Sequence, residues 1–228
     1  MIDTYHDYWD RNINRWSELY LDISHGHERL QGPAWLSWCY NVSIGRLERR
    51  LMVERYRRTI AFLDEYVRPG ISLTDLGCGN GIFVVEALKR GAKVNAVDFS
   101  AVALEITRRA VAKHCEGGDV RFIEADAQRD ELPFSDATLV MGVTPYISEL
   151  SAFMDNVLSH TRLLYCLYID PAHWANRLRK VVPSLNVRRL QFYARSDVDQ
   201  YYAARSWNLI SRTNFATGYI DLAEKKTA

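Results

Sequence analysis

The sequence is poor in the residues that cross-link small folds or hold structural metals. Only four of its 228 residues are cysteines, and they are far apart, with no C-x-x-C pair. A disulfide framework or a zinc site therefore has little support, and a reducing, cytoplasmic location is the plain inference. No group of histidine, aspartate and glutamate residues has ligand-like spacing, so no metal site is predicted. The cysteines are Cys39, Cys78, Cys115 and Cys166.

Long apolar runs and an excess of one charge are also missing. No run approaches the length of a membrane span, and the N-terminal MIDTYHDYWDRN is charged and aromatic, unlike the apolar core of a signal peptide. The formal net charge is +1, which argues against a nucleic-acid partner. We expect a monomer or homodimer without a membrane span.

The pattern of apolar and aromatic residues changes near residue 70. Residues 1–68 are rich in aromatic side chains, and apolar positions recur at helical spacing from about Ser43 to Tyr66. This pattern predicts an N-terminal helical lid that covers the substrate, followed by one domain over residues 69–228. The arginines of the helical stretch fall mostly on its other faces, which predicts a solvated surface. These arginines are Arg46, Arg49, Arg50, Arg55, Arg57 and Arg58.

After residue 70, short apolar runs alternate with helical segments. The runs ISLTDL, KVNAVDF, VRFIEAD, ATLVMGV and RLLYCLYID predict strands, and GIFVVEALKRG, SAVALEITRRAVAKH and SELSAFMDNVLSH predict helices. Such alternation is typical of parallel strands joined by right-handed crossovers. The tail adds a helix at SDVDQYYAARS and two strands, WNLISRTNF and GYIDLAEKK, which we expect to form a hairpin at the sheet edge.

The first predicted strand leads into GCGNG, a turn with glycines at alternate positions. Ligands bind beyond the carboxyl ends of the strands in an open parallel sheet, so this turn is the expected site. A Walker-type phosphate loop needs a Lys-Ser or Lys-Thr that is absent here. A dinucleotide fingerprint would place its third glycine at Ile82 rather than Gly81, a poorer match. The third candidate is S-adenosylmethionine, which carries no phosphate.

A ribose would need a carboxylate close to the glycine turn. Asp98 in AVDFS ends the second predicted strand, at about the distance that a ribose-binding acid takes in this architecture. The alternative role for Asp98 is a strand-end residue or helix cap, but Ser100 is better placed as the cap.

Taken together, LTDLGCGNGIF, AVDFS and IEADA resemble the class I S-adenosylmethionine-dependent methyltransferases, over roughly Ile71 to Asp170. The resemblance implies an α/β fold: a seven-stranded, mostly parallel Rossmann-like sheet with helices on both faces. It also implies that the last strand is antiparallel and lies between the fifth and sixth.

The resemblance further assigns eight residues to the cofactor. It implies that Asp75 orients the methionine end, that Phe99 packs on the adenine, and that Asp126 with Ala127 reads the adenine edge. Gly142 would lie where the methionine moiety meets the acceptor. The full set is Asp75, Gly77, Gly79, Asp98, Phe99, Asp126, Ala127 and Gly142.

Methyl transfer depends on alignment and on exclusion of water, and an oxygen acceptor must also lose a proton. Two residues are therefore candidate bases: His25, which with His27 forms the histidine pair of DISHGHE, and Tyr146, which follows the fourth strand. An ordinary loop histidine is the alternative for His25. His173 and Trp174 are further candidates at the mouth of the site.

From Leu163 onward the layout is also loosely similar to that of the magnesium-protoporphyrin O-methyltransferases, although the N-terminal third departs from that family. This similarity implies a small-molecule acceptor, methylation on oxygen and S-adenosylhomocysteine as the product. The basic residues after the fifth strand would either bind an acidic group of the substrate or form a solvated face. They are Arg177, Arg179, Lys180, Arg188 and Arg189.

Several other functions remain compatible with the same motifs. The sulfonium also permits aminocarboxypropyl transfer or an intramolecular cyclisation that releases methylthioadenosine. Methylation of RNA or protein is disfavoured by the near-zero charge and by the lack of an appended binding domain. A non-catalytic nucleoside-binding module and a dinucleotide oxidoreductase are the remaining alternatives.

Overall fold

The computed structural model describes residues 44–181 and 190–226, with side chains from residue 50 onward. Most of the predicted lid, including His25 and His27, lies outside the described residues, and so do Arg188 and Arg189. Among the described helices, none is both long enough and apolar enough to cross a membrane.

The described residues form seven strands and six α-helices. The strands are β1 (Ser72–Leu76), β2 (Lys93–Asp98), β3 (Val120–Glu124), β4 (Ser135–Val140), β5 (Thr161–Ile169), β6 (Trp207–Phe215) and β7 (Gly218–Lys225). The helices are α1 (Ile44–Tyr66), α2 (Ile82–Lys89), α3 (Ala101–His114), α4 (Leu150–Ser159), α5 (Trp174–Val181) and α6 (Arg195–Ala204). A 3₁₀ turn over Thr144–Tyr146 follows β4.

All seven strands belong to one sheet, in the order β3-β2-β1-β4-β5-β7-β6. Strands β1 to β5 pair in parallel, whereas β7 is antiparallel to both β5 and β6. The predicted fold class is confirmed, as is the antiparallel last strand between the fifth and sixth. The strand order reverses between β1 and β4, and this reversal leaves a crevice at the carboxyl ends of those two strands.

Alternating side chains bury both faces of the sheet. Leu73 and Ala96 pack with apolar residues of α1, α2 and α3 on one face, whereas Leu76 and Val97 pack with residues of α4 and α6 on the other. Each of these four side chains is at most 2% exposed. Because strands that are buried on both faces need apolar residues at nearly every position, their sequences read as continuous apolar runs.

Helix α1 packs its C-terminal half against the sheet. Leu63 is fully buried, and the ring of Phe62 stacks on that of Tyr165 from β5, with 4.5 Å between the centroids. This packing fixes the axis of the helix, so its preceding turns, including Met52 and Arg55, reach the carboxyl edge of the sheet, where both residues line a cavity. The boundary at residues 68 and 69 stays a prediction.

Candidate active site

A cavity of about 630 Å³ lies at the carboxyl edge of the sheet. All eight residues that the motifs assign to a cofactor line this cavity, and so does Tyr146. His173 and Trp174 are not among the described lining residues, and His25 lies outside the described part of the chain. The structure therefore brings together residues that are dispersed over nearly seventy positions of the sequence.

The glycine turn passes too close to its neighbours for side chains. At Gly77, where φ is +74°, a Cβ would lie 2.1 Å from Cγ2 of Val143, and at Gly81, where φ is +77°, it would lie 2.9 Å from Cγ2 of Thr107. Both residues also adopt the left-handed conformation that favours glycine. The turn consequently presents bare backbone to the cavity.

Asp98 holds this turn in place from the end of β2. Its Oδ2 accepts a hydrogen bond from the Gly79 N–H at 3.0 Å, and its Oδ1 accepts one from the Ser100 N–H at 3.0 Å. The carboxylate is 7% exposed and lines the cavity. These two hydrogen bonds fix the orientation of the carboxylate toward the cavity. Ser100 caps α3 as predicted, since its Oγ accepts from the Ala103 N–H at 3.2 Å.

Asp126 lies in the turn that follows β3. Its Oδ1 accepts a hydrogen bond from the Gln128 N–H at 2.9 Å, and its own N–H donates to Oδ2 of Asp130 at 2.8 Å. Nε of Arg129 lies 3.7 Å from the second oxygen of Asp126. These contacts fix a half-buried carboxylate at the rim of the cavity.

Asp75 is a buried carboxylate at the floor of the cavity. It is 2% exposed, and its Oδ2 has no hydrogen-bond partner among the described residues. Burial raises the pKa of Asp75 from 3.8 to about 7; the charge of Asp98 adds to this rise and that of Arg55 opposes it. A buried carboxylate oxygen without a partner is costly, so this atom indicates a cationic or hydrogen-bonding ligand.

Arg55 is a cavity residue that the sequence interpretation missed. It reaches the cavity from α1, its Nε is shielded from solvent, and its Nη1 lies 3.1 Å from the position of a Cβ on Gly142. Burial lowers the pKa of Arg55 to about 10, against the opposing effects of Tyr146 and Asp75. At that pKa the guanidinium remains charged at neutral pH.

The interpretation of Arg55 as solvated surface was wrong, and the helical period contains the reason. Arg55 follows Leu51 by four residues and precedes Thr59, which is fully buried, by another four. Residues four apart lie on one face of a helix. Arg55 therefore belongs to the buried stripe of α1 rather than to its solvated side.

The side of the cavity over β4 and β5 is apolar. We call this side the apolar half; none of its residues was predicted from the sequence to belong to the site. It consists of Met52, Met141, Val143, Leu167, Ile169 and Leu190.

The fold matches that of solved methyltransferases. The structure of magnesium protoporphyrin IX methyltransferase from Synechocystis PCC 6803 with bound SAH superposes with a TM-score of 0.72 over 97% of both chains, at 18% sequence identity. At this identity the match shows a common fold only, which is the Rossmann-like methyltransferase fold.

Sequence comparison identifies the domain itself. Residues 73–162 match the family model described as a methyltransferase domain. The chain is 27% identical over 139 residues to the probable cobalt-precorrin-6B C(15)-methyltransferase (decarboxylating) of Thermoplasma acidophilum, which covers 58% of this chain and 69% of the relative. It is 30% identical over 109 residues to the ubiquinone biosynthesis O-methyltransferase of Methylocella silvestris, and this match covers 46% of this chain and 43% of the relative. The chain thus carries a class I S-adenosylmethionine-dependent methyltransferase domain.

The relatives differ in length and in the acceptors that their names state. The chain spans 69%, 20%, 38% and 59% of the lengths of four of the curated relatives it matches. One of them is a release factor glutamine methyltransferase, which its name assigns to a protein acceptor. The family therefore leaves the acceptor of this chain open.

Proposed function

We propose that this protein transfers the methyl group of S-adenosylmethionine to an oxygen atom of a small molecule. The observation that carries the proposal is that the buried carboxyl of Asp75 and the guanidinium of Arg55 line the cavity together with the bare glycine turn. A zwitterionic amino-acid tail matches this pair of charges.

The residues present fit each part of the cofactor. Asp75, whose Oδ2 has no partner among the described residues, would receive the ammonium group, and Arg55 would receive the carboxylate. Gly77, which has no side chain, lines the same cavity and would lie against the chain that joins them.

The nucleoside would lie along the ends of β2 and β3. The ribose hydroxyls would donate to Asp98, whose oxygens are already oriented by the Gly79 and Ser100 N–H groups. Phe99 would pack on the adenine, and Asp126 would accept from its exocyclic amine. All three residues line the cavity.

The protein's contribution to the reaction is mainly positional. S-adenosylmethionine supplies a methyl group on a positively charged sulfur, which leaves as a neutral thioether. The glycine turn and the two charges at the cavity floor would hold that carbon in place, while the apolar half excludes water. Tyr146, in the 3₁₀ turn after β4, lines the cavity and would hydrogen-bond the acceptor oxygen or, as tyrosinate, take its proton.

Two considerations favour a small molecule and an oxygen atom. A cavity of about 630 Å³ has the size of a small-molecule site, and no carboxylate lines the apolar half among the described residues, so an amine acceptor would lack a partner there. The ubiquinone biosynthesis relative is named as an O-methyltransferase, and the fold neighbour is named for magnesium protoporphyrin IX. The relative named for a precorrin carbon shows that oxygen is not general in the family.

The decisive experiment is calorimetric titration with S-adenosylhomocysteine, followed by product analysis with S-adenosylmethionine and a panel of hydroxylated acceptors. We expect saturable binding of the thioether, and formation of S-adenosylhomocysteine together with a methylated acceptor. Accumulation of methylthioadenosine would instead indicate aminocarboxypropyl transfer or cyclisation. Binding of NADH with no binding of the thioether would refute the cofactor assignment, and thioether binding without turnover of any acceptor would indicate a binding module.

A further inference from the structure

The described lining of the cavity is divided by charge. Its three carboxylates, on Asp75, Asp98 and Asp126, belong to β1 and β2 or directly follow β3. From Met141 onward, the described lining residues include no charged side chain, and the hydroxyls of Tyr146 and Ser148 are the polar side-chain groups there. The side of the cavity with the three carboxylates, which we call the polar half, matches a zwitterionic nucleoside, whereas the apolar half has no charged side chain among the described residues.

We propose that the apolar half selects a compact, uncharged ring compound as the acceptor, with its hydroxyl group directed toward Tyr146. This inference rests on the proposed function, because it takes the polar half as the cofactor site. It goes further by naming the class of acceptor and the side chains that determine its selection.

The first argument is the size of the cavity. A volume of about 630 Å³ lies within the range of roughly 300–1,000 Å³ that is typical of a site for one drug-sized ligand. An adenosine with an amino-acid tail occupies much of that volume. The remaining space suits an acceptor group of one or two rings.

The second argument is the cost of burying a charge. Met141 and Leu167 are each less than 10% exposed, so a ligand against them loses its water. A charged group without a partner in such surroundings costs several kcal/mol, and among described residues the apolar half has no ion to pair with it. Arg55 is assigned to the cofactor carboxylate in the proposed function.

The third argument concerns the reacting atom. In the transfer a bond forms between the acceptor oxygen and the methyl carbon, and the carbon–sulfur bond breaks, with its electron pair going to sulfur. The hydroxyl proton leaves to water, while Tyr146 hydrogen-bonds the acceptor oxygen. A hydroxyl on an aromatic ring is acidic enough to react with assistance from a hydrogen bond alone, which suits a wall whose polar groups are hydroxyls.

Ile169 offers the sharpest test, because it lines the apolar half at the end of β5 and is only partly buried. The variants are Ile169→Asp, which adds a charge, and Ile169→Phe, which reduces the space. The matched control is Ile210→Asp on β6, which is 41% exposed and outside the described lining. The probes are 2-naphthol, its carboxylated analogue 6-hydroxy-2-naphthoic acid, and tyramine, each titrated against the S-adenosylhomocysteine complex.

We expect the wild-type complex to bind 2-naphthol at least tenfold more tightly than either charged probe. Ile169→Asp should weaken 2-naphthol binding at least tenfold, and Ile169→Phe, which reduces the space, should weaken it as well. Both variants should bind S-adenosylhomocysteine within a factor of two of the Ile210→Asp control. Their melting temperatures should lie within a few degrees of that of the control. The inference is overturned if 2-naphthol fails to bind, if a charged probe binds as well, or if the folded variants behave like the control. If S-adenosylhomocysteine itself does not bind the wild type, the proposed function fails first.

Discussion

The main-chain N–H of Gly79 donates a 3.0 Å hydrogen bond to the carboxylate of Asp98, nineteen residues later in the chain. This bond joins the two motifs that the sequence presents separately, the glycine turn after β1 and the acid at the end of β2. The same carboxylate thus shapes the turn and faces the cavity. A change at Asp98 should therefore alter both folding stability and ligand affinity.

Replacing Asp98 by Ala removes the acceptor of two main-chain N–H groups and the proposed ribose contact. Hydrogen bonds to a charged group contribute about 1.5–3 kcal/mol each, so we expect S-adenosylhomocysteine to bind at least tenfold more weakly. Isothermal titration calorimetry measures this loss, and urea unfolding measures the accompanying loss of stability. Thr107→Val is the control, because it removes only the hydroxyl that donates to the Gly79 carbonyl at 3.0 Å. Equal losses in the two variants would mean that Asp98 acts on the turn alone.

Replacing Arg55 by Ala should weaken S-adenosylhomocysteine binding about tenfold or more, because the ligand carboxylate would lose a charged hydrogen bond. The affinity of Arg55→Lys should lie between those of the wild type and Arg55→Ala, since an ammonium keeps the charge without the paired donors of a guanidinium. Arg57→Ala, at an exposed position of the same helix, should bind like the wild type. Titration calorimetry of the three variants compares them, and similar affinities for Arg55→Ala and Arg57→Ala would exclude the proposed contact.

The sheet was predictable from the sequence because its signals are local. Apolar runs such as VRFIEAD, and the capping serine at position 100, lie within a few residues of the structure they specify. The order of the closing strands was available only through the family resemblance. Nothing in WNLISRTNF or GYIDLAEKK shows that β7 lies between β5 and β6.

The site was predictable where glycines and acids mark strand ends, and not where a helix from elsewhere in the chain reaches it. Arg55 resembles its exposed neighbours in type, and only its place in the buried stripe of α1 distinguishes it. Leu167 and Ile169 are ordinary strand residues until the register of β5 places them beside the cavity. The role of His25 stays a prediction.

The pH dependence of stability should report the burial of Asp75. Its pKa in the folded chain is about 7, against the ordinary value of 3.8. The folded state therefore holds a proton that the unfolded chain has released between these pH values, and the stabilisation present at acid pH is lost as the pH rises toward 7. Relative to Asp75→Asn, the wild type should lose up to about 3 kcal/mol between pH 5 and pH 8. Urea unfolding at both pH values measures the difference, and a constant difference would contradict the raised pKa.

The glycine at position 77 combines two constraints that mutagenesis can separate. In Gly77→Ala the new Cβ would lie 2.1 Å from Cγ2 of Val143. The variant would also carry the backbone penalty of a residue with φ +74°. Gly70→Ala carries the backbone penalty alone, about 1–2 kcal/mol, because Gly70 has φ +86° and nothing within 4 Å of its Cβ position. We therefore expect Gly77→Ala to destabilise the fold more than Gly70→Ala in urea unfolding.

The clash can also be relieved by shortening the side chain of Val143. In a Gly77→Ala, Val143→Ala double variant the clashing methyl is gone, and the nearest Val143 atom that remains is Cβ at 3.6 Å, an ordinary contact. The double variant should thus be more stable than the sum of the single changes predicts, by roughly 1 kcal/mol or more. Additive losses would mean that the left-handed backbone alone requires glycine here. Recovery of stability would show that close contact between the β1 turn and the segment after β4 imposes the glycine.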